Sequence, residues 1–123
     1  YGTDLNPDTE ILPLMGSKEG IMHISMAFVN EGDEVLIPDP GYPTYASVAK
    51  LVGARISTYS MKESLDWGID IDELKRRDLS KVKIMWVNFP HMPTGRVASR
   101  QELSELVELA RKNKFLIVND NPY

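Results

Sequence analysis

The chain has 123 residues, 14 of them lysine or arginine and 18 aspartate or glutamate, for a formal charge of −4, and it contains no cysteine. A 42% hydrophobic share over this length suits one globular core, and the mild, dispersed acidity argues against nucleic acid or an anionic membrane as a partner. Disulfide scaffolds, thiolate metal sites and cysteine nucleophiles are excluded, and His23 and His91 alone are too few for a histidine-rich zinc site.

No run approaches the roughly 18 apolar residues of a membrane span, and no basic segment leads into an apolar one at the N-terminus. The chain therefore reads as soluble, unexported and cytoplasmic. It starts at Tyr1 without a methionine and stops at Tyr123 directly after a strand-like run, which reads as a piece of a longer protein.

In chain order, "EILPLM" (10–15) is an edge strand or an approach segment, because Pro13 cannot serve a central strand. After "GSKEG", residues 21–29 are apolar on nearly every side and predict a largely buried helix. "EVLIPD" (34–39) predicts a short buried strand. A helix over 45–52 follows "GYPT" and is closed by Gly53. "ARISTYS" (54–60) alternates in polarity, as a strand near an edge does. Asp70 with Glu73, and Ser99 with Glu102, have the spacing of helix caps. "VKIMWVNF" (82–89) and "FLIVND" (115–120) are nearly continuous in apolar character and predict strands covered on both faces. Between them, Leu103, Leu106, Val107 and Ala110 recur at helical spacing as one stripe for packing on a sheet. This alternation predicts an α/β fold, a mainly parallel sheet with helices on both faces. Ligands of such sheets bind at the carboxyl ends of the strands, and there "GSKEG", "DPGYP", "NFPHMPTG" and "NDNPY" fall.

Each of these clusters has a chemical and a purely structural reading. Gly16, Ser17 and Lys18 open a helix whose first amides and positive dipole end favour an anion such as phosphate; alternatively Ser17 is a plain N-cap. Tyr42 can offer its ring face to a flat heteroaromatic ligand, or pack at the edge of a Pro-Gly turn, while Tyr45 reads as core. Asp120, at the end of an apolar strand, calls for a cation or good donors, such as a protonated ring nitrogen, or else caps the following turn. Tyr123 can point its hydroxyl into the same space. Pro93 and Gly95 shape an irregular turn before the Ser99 helix.

Taken together and in order, "GSKEG", "GDEVLIPDPGYPTY", "PTG" after a strand and "DNPY" after the next resemble the class I/II aminotransferases, fold-type-I enzymes that use pyridoxal 5′-phosphate. The resemblance covers essentially the whole chain and implies that residues 1–123 are a central part of the cofactor-binding large domain. It implies that Ser17, Lys18 and the backbone at Gly16 hold the cofactor phosphate, that Tyr42 stacks on the ring, that Asp120 keeps the ring nitrogen protonated, and that Tyr123 donates to the phenolic oxygen. It further implies a homodimeric parent that moves an amino group between a small amino acid and a 2-oxo acid. The lysine that carries the cofactor, the arginine that grips the substrate and the small domain belong to parts of the family outside this stretch, so no catalytic residue is assigned here and the stretch alone is expected to be inactive. Some strands of the family's sheet also lie outside it, leaving 10–15 short of partners.

One position departs from the pattern. The family's usual asparagine before "PTG" is Met92 here, and a thioether donates no hydrogen bond; Asn88 and His91 are the nearby candidates to compensate. Two other readings share the same cradle: a carbon–sulfur lyase or decarboxylase of this fold, and a cofactor-binding regulatory domain without turnover.

Overall fold

A computed structural model describes residues 2–123. The elements run α1 (Ser17–Phe28), β1 (Glu34–Asp39), α2 (Pro43–Leu51), β2 (Arg55–Lys62), a short 3-10 turn at Glu63–Leu65, β3 (Gly68–Ile69), α3 (Ile71–Lys75), β4 (Val82–Val87), α4 (Arg100–Asn113) and β5 (Leu116–Asn119). They form one five-stranded sheet in the order β3-β2-β1-β4-β5. The pairs β1–β2, β1–β4 and β4–β5 are parallel, and only the two-residue β3 runs antiparallel, against β2.

The alternation of side chains along the central strands divides the core in two. Val35 and Ile37 of β1, with Ile84 and Trp86 of β4, pack with Ile21 of α1 and with Tyr45, Val48 and Ala49 of α2. Leu36, Met85 and Val87 face the other way and meet Leu74 of α3 and Leu106, Leu109 and Ala110 of α4. Helices therefore cover both faces, as the nearly continuous apolar runs of β1 and β4 require.

Local chemistry sets the helix ends. Pro43 occupies the first turn of α2, where its missing N–H costs nothing, and Gly53 follows the helix with φ of +75°. The Asp70 carboxylate accepts from Glu73 N at 2.9 Å. Ser99 and Glu102 complete a reciprocal capping box at the start of α4. Glu102 also pairs with Arg96 at 2.8 Å and accepts from Ile69 N at 3.1 Å, which ties the Met92 loop, β3 and α4 together.

Four expectations need correction. Residues 10–15 form no strand; they are an exposed approach to α1, so "GSKEG" does not follow a strand. Helix α1 is buried on one side only, through Ile21 and Ser25, while Met26 and Phe28 are exposed because nothing in the described residues packs over them. The stripe of α4 is rotated: Leu109 joins Leu106 and Ala110 in the core, and Leu103 and Val107 lie at its margin. β5 ends the sheet, and Leu116 is half-exposed, so it is not covered as β4 is.

Candidate functional site

The carboxyl ends of β1, β4 and β5 and the start of α1 meet around a cleft of about 230 Å³, lined by Ser17, Tyr42, Tyr45, Asn88, Met92, Asp120, Pro122 and Tyr123. Of the six residues proposed from sequence as cofactor contacts, Ser17, Tyr42, Asp120 and Tyr123 line it directly. Gly16 is the N-cap residue of α1 and adjoins it. Lys18 is exposed on the first turn of α1 and is not among the lining residues.

The start of α1 is chemically open. Gly16, not Ser17, is the N-cap, and no side chain caps the helix. The plain N-cap reading of Ser17 is thereby excluded: its hydroxyl and the amides of Ser17 and Lys18 have no hydrogen-bond acceptor among the described residues. The turn holds one carboxylate, Glu19, which accepts from Met15 N at 2.7 Å. Uncapped N–H groups at the positive end of a twelve-residue helix favour negative charge beside them.

Asp120 is held from three sides. Its N–H continues the ladder to Val87 O at 2.9 Å. Its carbonyl accepts from the Asn88 side-chain amide. Its Oδ2 accepts from the Tyr45 hydroxyl at 2.9 Å. Among the described residues the second carboxylate oxygen has no donor, and no cation stands within 4.0 Å of it. A carboxylate fixed in this way, partly withdrawn from water and lacking a counter-charge, is suited to a cationic ligand atom. The reading of Asp120 as a cap of the following turn finds no support, because Tyr123 N bonds to Asn121 instead.

Tyr45, which the sequence reading assigned to the core alone, also lines the cleft and reaches Asp120. It is buried, with its ring stacked on Trp86 at 5.0 Å and 7° between planes, and Tyr42 meets it edge-on at 5.7 Å. Burial first, and then Asp120 beside it, hold its hydroxyl well above the ordinary phenol range, so it stays a donor to the carboxylate at neutral pH. The signal that could have found it is its place three residues after Tyr42, on the same side of α2.

The turn after β4 is equally ordered. Gly41 is needed in the facing turn because a Cβ there would stand 2.5 Å from Pro38 O. Asn88 is buried and spans the turn, with Oδ1 accepting from Met92 N at 2.8 Å and its amide donating to Asp120 O. His91 does not line the cleft, and both of its ring nitrogens already have protein partners. It therefore supplies no donor in place of Met92, whose side chain lines the cleft as an apolar, non-donating wall.

Comparisons with known proteins agree on one family. The family model described as "Aminotransferase class I and II" matches residues 1–123. Curated relatives include LL-diaminopimelate aminotransferases from Dehalococcoides mccartyi and from Natranaerobius thermophilus, each 42% identical over the whole chain and matched over 32% of its own length. The chain thus spans about a third of the curated relatives it matches. Among solved structures, a probable N-succinyldiaminopimelate aminotransferase from Thermus thermophilus superposes with a TM-score of 0.91 at 33% identity, covering 100% of this chain and 33% of that one.

Proposed function

The chain belongs to the class I and II aminotransferase family, and from that premise we propose that it is part of the cofactor-binding large domain of an enzyme that moves an amino group between an amino acid and a 2-oxo acid with pyridoxal 5′-phosphate. The observation that carries this reading is Asp120: a carboxylate anchored through one oxygen by Tyr45, with the other oxygen free and no counter-charge among the described residues, in a cleft that also holds an uncapped helix start and an aromatic ring.

The residues present fit the cofactor. Ser17 and the first amides of α1 would hold its phosphate, with Lys18 adding charge from the same turn. Tyr42 would lie against the ring face, Asp120 would keep the ring nitrogen protonated, and Tyr123 would donate to the phenolic oxygen. Once bound, the cofactor supplies an electron sink for the charge left when a substrate's α-carbon loses its proton. Tyr45 keeps Asp120 oriented without taking its charge, because its own proton is held tightly. Met92 and the Tyr45–Trp86 stack keep the cleft partly apolar, which strengthens the attraction between Asp120 and a cationic ring. The lysine that would carry the cofactor and move the proton is sought in the rest of the protein, as is a partner subunit.

The names of the relatives make LL-diaminopimelate the first amino donor to try. The test is the visible spectrum of the full-length protein with pyridoxal phosphate during addition of amino acids. A band that bleaches with LL-diaminopimelate and returns with a 2-oxo acid supports the reading, and release of ammonia, thiol or carbon dioxide in place of stoichiometric transfer refutes it.

A further inference from the structure

We propose that His91 is a positioning residue whose imidazole is a strut between the loop after β1 and the loop after β4, setting the spacing of Tyr42 on one and Met92 on the other. The proposal rests on the cofactor reading only in giving Tyr42 a ring to stack on.

His91 is 2% exposed and outside the lining of the cleft, yet it joins two loops that build it. Its Nε2 lies 3.1 Å from Pro40 O, 51 residues away in sequence and two before Tyr42. Its Nδ1 lies 2.8 Å from the Thr94 hydroxyl within its own loop. A carbonyl only accepts, so Nε2 carries the proton; in the neutral ring Nδ1 then accepts from Thr94. The Thr94 oxygen is left to accept from Arg96 N at 3.4 Å. His91 N donates to Arg96 O at 2.8 Å and Gly95 N to His91 O at 2.6 Å, closing the loop around the ring. Each polar atom of the side chain thus has one partner of the matching type, and Met92, the next residue, is fixed from both sides by His91 and by Asn88.

The neutral form is the one that fits. Burial lowers the ring's affinity for a proton, the Pro40 carbonyl pulls the other way, and the charge of Arg96 lowers it further. Arg96, from the same loop, is the charged group acting on the ring; the loop after β1 presents the Pro40 carbonyl, and Tyr123 lines an adjoining cavity with His91. A second proton would place a donor where Nδ1 now accepts.

The test uses the full-length protein and its His91→Gln and His91→Asn variants. A glutamine amide reaches the position of Nε2 and can keep the Pro40 bond, whereas asparagine reaches only as far as Nδ1. Pyridoxal phosphate affinity by equilibrium dialysis is expected to fall roughly tenfold in the asparagine variant and to stay within about threefold in the glutamine variant, the range of one buried hydrogen bond. Hydrogen–deuterium exchange should quicken over 38–46 in the asparagine variant and stay unchanged over 100–113. Acidification below about 6.5 should weaken binding more in the wild type than in the glutamine variant. Equal affinity and exchange in all three proteins overturns the strut. So does equal loss in both variants, or faster exchange everywhere, either of which marks the ring as packing alone. A wild type that binds no pyridoxal phosphate refutes the cofactor reading instead, and exchange over 38–46 still decides the strut.

Discussion

Two clefts of about 230 Å³ each differ in how their polar groups are used. In the groove between α3 and α4, Lys75 pairs with Glu105 at 3.2 Å and Asp72 at 3.5 Å. Arg77 there donates to Thr58 O at 2.7 Å and lies 3.8 Å from Glu73. Those charges answer one another across a solvated surface. At the carboxyl ends of the strands the pattern is reversed: the Ser17 hydroxyl, two helix amides and one oxygen of Asp120 have no partner among the described residues, although the backbone around them is closely tied. Size does not distinguish a binding site from a crevice here; the difference lies in polar groups held rigidly and left unused.

The largest expected effect that would sharpen this contrast is at Asp120. Asp120→Asn keeps an oxygen for Tyr45 but removes the charge, and should lower transfer activity of the full-length enzyme at least a hundredfold, about 3 kcal/mol, with little change in thermal midpoint. An activity loss under fivefold would break the comparison. Tyr45→Phe comes next: it keeps the stack on Trp86 and removes only the hydroxyl, costing about 1 kcal/mol in cofactor affinity or stability, measured by dialysis and thermal melting. The pH dependence of folding is smaller. Because His91 binds its proton less readily in the folded chain than in the unfolded one, the unfolded state takes up protons first as pH falls below about 6.5 and stability drops there; His91→Gln should flatten that part of a urea-midpoint profile. Smallest is Lys75→Met in the other groove, which should leave cofactor affinity unchanged within error.

Much of this was legible from the residues. "EVLIPD" matched β1 residue for residue, "GYPT" and Gly53 placed α2 although it starts at Pro43 and not at Tyr45, and the two capping pairs marked α3 and α4, because each signal acts over a few neighbouring residues. Four of the six proposed cofactor contacts line one cleft because they stand directly after strands or at a helix start. What escaped the sequence depends on distant partners. Tyr45 meets Asp120 across 75 positions, and His91 meets Pro40 across 51, with no local mark of either bond. The burial of α1 was overstated because its apolar residues surround the helix, and only packing decides which side is covered. The covering of β5 on both faces, expected from its apolar run, is incomplete at Leu116, because such a run does not reveal how much of the strand its neighbours reach.

The Tyr45–Trp86 stack gives the molecule an optical handle. Trp86 is 2% exposed and one ring away from Asp120, while Trp67 packs on the opposite face of the sheet with the α3 and α4 side of the core. A chromophore settling on Tyr42 would take up the emission of Trp86, whose ring stacks on Tyr45 beside it. Trp67→Phe leaves Trp86 as the tryptophan of this stretch, so the fall of its emission follows occupancy of the cleft without any label.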